Sequence, residues 1–434
     1  MTPEGRWRRV GPDESPARVE FEKSGGLAGR ASGQEGSDAA ATCEGAVIEG
    51  EAADTLRALL DPGGLEVSEW LPGPVREGVQ VVYIDPPYNT GGAFAHYRDD
   101  VDHDLWLSAM RERLELLREA LAPTGSIWLH IDDAEMASAK VLCDEVFGRK
   151  NMVSTIVVEN NPKGRQLGKF FAGSHDYLLV YARDIERVRI TPGTPEAVNP
   201  SDFPRNDEQG RYRLLPLRNT NKKFNPATAR TLHYPLWAEA DSGRVATSPF
   251  QGASEIWPVF GDLTPAVWRW SAARVDERPD ELFARMVRGR AGQRLDIFQV
   301  DRLHEARTKK LRSIWHSAEV GSSDSAKIEV KTLSQGGEIF STPKPEPLML
   351  RILRAASEPG DLVLDCFAGS GTTPAVAHKA GRRWIAIEIS GDNVRDFLVP
   401  RLRAVVEGTD RGGVSSDCEW TGGGNVAIMT TRAP

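Results

Sequence analysis

The chain has 434 residues, a formal net charge of −8 and four cysteines. That length suffices for one large catalytic domain plus a smaller inserted or flanking one, while no apolar run approaches a membrane span and the N-terminus lacks an apolar signal core. Cys43, Cys143, Cys366 and Cys418 are scattered without a Cys-x-x-Cys pair, which speaks against a zinc site or a disulfide framework and for a reducing, cytoplasmic setting.

In chain order, residues 1–42 are rich in Gly, Ala, Ser and mixed charge, and read as a disordered leader. Residues 43–190 form the first patterned half. Ala46–Glu49 is a short strand, and 52–60 a helix. The apolar run Val81–Ile84 then stops at Asp85-Pro86-Pro87-Tyr88-Asn89-Thr90-Gly91-Gly92. That is a buried parallel strand delivering a polar loop at its carboxyl end, where open α/β sheets place their ligands. Two prolines stiffen the loop and remove two N–H donors, so its carbonyls are free to accept. A carboxylate, bare carbonyls and one aromatic ring suit an exocyclic amino group on a flat base. Leu105, Met110, Leu114, Leu117 and Leu121 make an amphipathic helix with Asp102 or Asp104 as N-cap. Ser126–Ile131 is a strand, Asp132-Asp133 cap a helix over Ala134–Phe147, and Val153–Val158 and Tyr177–Tyr181 are strands. His175-Asp176 between them reads as structural.

Over 191–330 the pattern dissolves into Pro, Gly, Arg and Trp, the mark of an inserted region. Arg211, Arg213, Arg218, Lys222 and Lys223 form one basic stretch and residues 302–312 another, with Trp257, Trp268, Trp270 and Trp315 among or beside them. Cations with interleaved aromatics suit phosphate contact and base stacking. A negative net charge argues weakly against DNA, but charge acts locally. Residues 331–408 form the second half. Asp361–Asp365 is a strand running into Cys366-Phe367-Ala368-Gly369-Ser370-Gly371-Thr372-Thr373, and Arg383–Glu388 is the next strand, ending in an acid. A glycine loop after a strand, with an acid at the next strand's end for ribose hydroxyls, marks a nucleoside-bearing cofactor. The loop lacks Gly-Lys-Ser/Thr, so it is not a P-loop, and Pro374 stands where a dinucleotide fingerprint needs its third glycine. Residues 409–434 read as a C-terminal tail.

Asp85-Pro86-Pro87-Tyr88 together with Asp365-Cys366-Phe367-Ala368-Gly369-Ser370-Gly371-Thr372-Thr373 resembles the β-class amino-group DNA methyltransferases. The string from Ile84 to Gly91, and Phe340-Ser341-Thr342-Pro343-Lys344-Pro345, resemble type III restriction-modification modification subunits and solitary adenine-specific relatives. The resemblance implies an α/β fold with a Rossmann-like, S-adenosylmethionine-dependent methyltransferase sheet. Its order is circularly permuted, catalytic half first and cofactor half last, with an inserted target-recognition domain. Asp85, Pro86, Pro87 and Tyr88 are then the catalytic residues. Asp365, Phe367, Ala368, Gly369, Ser370, Gly371 and Thr372 hold the cofactor's methionine end, and Glu388 its ribose. Lys344 matches the family's residue ahead of the cofactor strand and counts with the cofactor-binding residues the resemblance implies. Glu51 stands where the family has Gly-Asp, near the cofactor's adenine end.

The implied reaction is methyl transfer to adenine N6 of a flipped-out base in double-stranded DNA. A restriction helicase-nuclease subunit and a homodimer are the protein partners the resemblance suggests, with no membrane and no metal. None of the four cysteines follows a proline, so attack at a ring carbon of cytosine is set aside. The open alternatives are a catalytically idle DNA-recognition subunit and an amino-methyltransferase acting on cytosine N4, RNA or a protein amide.

Overall fold

The computed structural model describes residues 20–28, 43–61, 70–89, 102–164, 170–191, 194–195, 200–289, 292–303, 308–333 and 339–432. They form two compact units, Met1–Gly193 with Lys310–Pro434, and Thr194–Lys309.

In the first unit the strands are β1 (Glu20–Ala28), β2 (Gly45–Glu49), β3 (Val79–Ile84), β4 (Leu121–Ile131), β5 (Met152–Glu159), β6 (His175–Ala182), β7 (Ile314–Trp315), β8 (Leu362–Asp365), β9 (Arg383–Glu388) and β10 (Asn425–Arg432). They pair in the order β1-β10-β2-β9-β8-β3-β4-β6-β5-β7. From β10 through β4 every neighbouring pair is parallel, while β6 runs antiparallel to both β4 and β5. Its longer helices are α1 (Ala52–Leu60), α2 (His103–Ala120), α3 (Met136–Cys143), α4 (Ser323–Leu333), α5 (Glu346–Ala356), α6 (Thr372–Lys379) and α7 (Val399–Val406).

Successive residues of a strand point to opposite faces, and both faces of this sheet are covered. Val81, Tyr83, Val363 and Trp384 join an apolar layer with Leu348 and Ile352 of α5, Val376 of α6 and Leu402 of α7. Val82, Ile84, Leu364 and Ile385 join the opposite layer with Leu56 of α1 and Trp106, Leu114 and Leu117 of α2. Each such buried side chain contributes about 1.5–3 kcal/mol. The central strands are thereby clamped from both sides, and their carboxyl ends form a rigid platform. Asp102 caps α2 through its carboxylate, 3.1 Å from the Asp104 N–H.

Three boundaries differ from the sequence reading. The leader over 1–42 contains β1, paired antiparallel with β10; its remaining residues lie outside the described ones. The tail over 409–434 contains β10, which sits inside the sheet between β1 and β2. Val414 and Asp410 of that segment are buried as well. The insertion ends near residue 309, short of 330, because β7 pairs with β5 and Trp315 packs on Trp128 with ring centroids 6.2 Å apart.

The second unit is built on a four-stranded antiparallel sheet (205–207, 210–216, 282–289 and 292–302) and a three-stranded one (236–238, 245–246 and 254–256). Leu236, Trp268, Trp270, Ala284 and Ile297 form its core.

Candidate active site

Because β3, β8 and β9 are parallel neighbours, their carboxyl ends share one edge of the sheet. The Asp-Pro-Pro-Tyr loop, the glycine loop and Glu388 therefore meet there. They open into one cavity of about 600 Å³.

On the β3 side, the Trp106 indole N–H donates to the Pro87 carbonyl at 2.8 Å and anchors the loop to α2. No described residue donates to the Pro86 carbonyl. The Tyr88 hydroxyl donates to Asp85 Oδ1 at 2.7 Å. The Lys344 ammonium pairs with Asp85 Oδ2 and lies 5.1 Å from the centre of the Tyr88 ring. Beneath this group runs a buried polar chain. Tyr83 Oη lies 2.9 Å from His130 Nδ1, and His130 Nε2 lies 3.3 Å from Asp176 Oδ2. The His130 ring also faces Tyr88, 29° from parallel with centroids 6.3 Å apart. Burial raises the Tyr83 phenol well above its ordinary range, and the charges of Asp85, Asp365 and Asp176 add to this. Burial would raise Asp176 too, but His130, Lys344 and Asn160 outweigh it and hold the carboxyl below its usual range.

On the β8 side, Asp365 Oδ1 accepts from the Phe367 N–H at 2.9 Å. Gly369 and Gly371 have φ of +50° and +77°, which favour glycine, and Gly371 is the N-cap of α6. Glu388 ties the loop to β9: Oε2 accepts from the Gly369 N–H at 2.8 Å, and Oε1 from the Ser390 N–H at 3.0 Å and the Asn393 amide at 3.2 Å. Burial pushes Asp365 up to about 7, with Asp85 and Glu388 adding to the rise. It raises Glu388 as well. This end of the cavity suits a polar ligand with little clearance. Ser341 Oγ is buried without a hydrogen-bond partner among the described residues. A Cβ on Gly369 would sit 3.2 Å from the Phe340 ring.

Asp85, Pro86, Pro87 and Tyr88 line the cavity, as do Asp365, Phe367, Ala368, Gly369, Ser370, Thr372, Glu388 and Lys344. Gly371 is not in the wall. Glu51 is not either, although its neighbour Ala52 is. The Glu51 carboxylate instead caps α1, 3.0 Å from the Asp54 N–H, and pairs with the buried Arg113. Burial opposes its ionisation, but the guanidinium prevails and holds the carboxyl below its ordinary range. The sequence reading gave no role to His130 or Asn160, took Asp176 as structural and met Ser341 only within the string from Phe340 to Pro345, yet all are in the wall. The first three sit at the carboxyl ends of β4 and β5 or the start of the antiparallel β6, so the sheet-edge rule was the signal that could have found them.

In the second unit cations keep aromatic neighbours, Arg213 4.7 Å from the centre of the Phe203 ring and Arg274 4.4 Å from that of Trp270, but two of the tryptophans are buried. Trp268 and Trp270 are core residues, and Trp315 is buried in the first unit; Trp257 alone of the four is exposed, its ring 4.9 Å from that of His233. Three of the cations have acid partners: Arg213 with Asp301 at 2.7 Å, Lys222 with Asp262 at 2.6 Å, and Arg218 with Asp296 at 3.5 Å. Lys223 is exposed and forms no ion pair among the described residues.

Comparison with known proteins places these loops in a family. The family described as DNA methylase, of N6/N4 type, matches residues 79–398. The chain is 28% identical over 388 residues to the probable type III restriction-modification enzyme HindVI Mod subunit of Haemophilus influenzae, covering 80% of this chain and 50% of that one. It is 30% identical over 312 residues to the type II methyltransferase M.KpnI of Klebsiella pneumoniae, covering 70% and 71%. It thus spans about half the length of the type III relative. Among solved structures it is similar to a putative DNA modification methylase of Thermus thermophilus complexed with S-adenosyl-L-methionine, with 15% identity, a TM-score of 0.38, and coverage of 83% and 94%. A match that takes in both loops and most of the chain shows that this protein belongs to the N6/N4 DNA methylase family.

Proposed function

We propose that the chain transfers a methyl group from S-adenosylmethionine to the N6 amino group of adenine in double-stranded DNA, as part of a restriction-modification system. The observation that carries this reading is the shared cavity, in which Asp85 and Tyr88 face the glycine loop. Asp365, the loop from Phe367 to Thr372 and Glu388 would hold the cofactor. When bound, it supplies an activated methyl carbon, whose bond to sulfur breaks as the bond to the amine nitrogen forms.

The chain's own residues make the amine reactive. An exocyclic amine shares its lone pair with the ring and is a poor nucleophile. Asp85 and the Pro86 carbonyl accept its two hydrogens, which localises the lone pair on nitrogen. Asp85 then takes the proton that the amine sheds. Tyr88 offers its ring face to the base, which must leave the duplex to reach the loop. Positioning and preorganised electrostatics supply most of the acceleration.

The choice of adenine over cytosine rests on the resemblance at position 85, where the adenine enzymes mostly carry Asp and the cytosine-N4 enzymes mostly Ser. Asp accepts strongly, whereas Ser accepts weakly and also donates, a difference that changes how the amine is polarised but does not by itself select a ring. The likeness to a Mod subunit supports a restriction subunit as partner. Purified protein, labelled cofactor and duplex DNA, followed by nucleoside digestion and mass analysis, test the reading. N6-methyladenine is expected. N4-methylcytosine alone overturns the choice of base, and no labelled DNA overturns the activity.

A further inference from the structure

Lys344 entered the sequence reading as a cofactor residue, but its ammonium points to the other half of the cavity. It pairs with Asp85 Oδ2 and lies over the Tyr88 ring at 5.1 Å, within cation–π range. These are the carboxylate and the ring face that the proposed function assigns to the base. We propose that Lys344 is a positioning residue that holds the place of the target base: its ammonium occupies the Asp85 carboxylate and the Tyr88 face, and yields both when the base enters. The inference rests on the reading of Asp85 and Tyr88 given under the proposed function.

The backbone around Lys344 is fixed, so exchange is a motion of the side chain. Pro343 and Pro345 flank it and lock φ on either side. The Lys344 carbonyl accepts from Thr372 Oγ1 at 3.2 Å, and Thr372 Oγ1 in turn accepts from Arg401, 2.9 Å away. Thr372 and Arg401 are both buried. The flexible four-carbon stem, by contrast, opens onto the cavity, and the buried Asp176 carboxylate in the same wall offers the ammonium a second anion. Charge requires the exchange. Methyl transfer puts positive charge on the amine nitrogen, and a second cation left on the same carboxylate would oppose it. Before the base enters, the same cation keeps a partly buried carboxylate paired, which removes the cost of leaving it alone.

The test uses the full-length protein and a duplex bearing the sequence identified by mapping methylated sites, with 2-aminopurine beside the target adenine. Fluorescence rises when that adenine leaves the stack. Without cofactor, Lys344→Met should increase the flipped fraction at least about fivefold, the low end of coupling between linked equilibria. Lys344→Arg, which keeps the charge, should stay near wild type. Lys344→Gln provides the same measurement should the Met variant not fold. Unchanged or reduced flipping in the neutral variants overturns the proposal, and so does weakened cofactor binding with flipping unchanged. A wild-type protein that neither methylates nor flips DNA would count against the activity itself; wild-type flipping without an increase in the variants counts only against this role of Lys344.

Discussion

The two units bury tryptophans alike but differ in how deeply they bury cations. In the first, cations are buried and tie segments together. The Lys379 ammonium lies 2.8 Å from Glu346 and 2.6 Å from Asp410, and Arg401 lies 2.8 Å from Glu346 while holding Thr372 of the glycine loop. In the second, pairs such as Lys222–Asp262 and Arg278–Glu281 lie on the surface, and none of the described cations is buried. Exposed pairs are worth little, whereas removing one partner of a buried pair leaves an uncompensated charge. The first unit therefore ties its segments together through buried charge pairs, and the second is a separate core with a solvated, charged surface.

The largest expected effect tests the part the tryptophans play. Trp268→Ala should destabilise the second unit by about 3–5 kcal/mol, whereas Trp257→Ala should stay within about 0.5 kcal/mol. Denaturant titrations followed by fluorescence measure both. Equal losses would erase the contrast between core and surface rings.

Asp85→Ala should slow methyl transfer by about 10²–10³-fold, or about 2.7–4 kcal/mol, with cofactor affinity largely kept. Single-turnover rates at wild-type level would remove Asp85 from the chemistry.

A pH effect is expected from Asp365, which burial pushes up from 3.8 to about 7. Between these values the folded chain binds a proton that the unfolded chain has released. The stability from this group is full below the unfolded value and is lost as pH rises through the folded one. Asp365→Asn should remove that decline, whose slope is at most about 1.4 kcal/mol per pH unit. Denaturation midpoints measured across the window decide it, and an unaltered slope would assign the decline to other groups.

The smallest effect belongs to the surface. Lys223→Gln should reduce the log–log salt slope of DNA binding by about 0.9 if Lys223 meets a phosphate, while paired Lys222 should contribute less. Binding titrations at several salt concentrations would show equal changes if pairing with Asp262 is irrelevant.

Both loops of the candidate site were legible because their signals are local. An apolar strand ending in Asp85-Pro86-Pro87-Tyr88 is read from contiguous residues, and so are Gly369 and Gly371, whose positive φ explains why glycine stands there. The edge strand β1 was not legible. β1 carries Gly25 and Gly26 in a polar stretch and becomes a strand only by pairing with β10, some four hundred positions away. β10 did carry a local signal, the apolar run Val426-Ala427-Ile428-Met429, but its place inside the sheet between β1 and β2 is a matter of tertiary pairing.

The tryptophans of 257–270 show why composition could not settle their part: a ring beside an arginine looks the same along the chain whether it stacks on a ligand or fills a core. Only the packing around Leu236, Ala284 and Ile297 decided for Trp268 and Trp270. Lys344 carries the same lesson into the site. By itself the sequence determined that an acid, two prolines and a tyrosine would stand at a strand end, because φ restriction and side-chain chemistry belong to single residues. The folded chain decided that Asp85 would meet Lys344, 259 positions along, and stand above His130 and Asp176, because β8, β3, β4 and β6 lie side by side in the sheet and gather their loops at one edge.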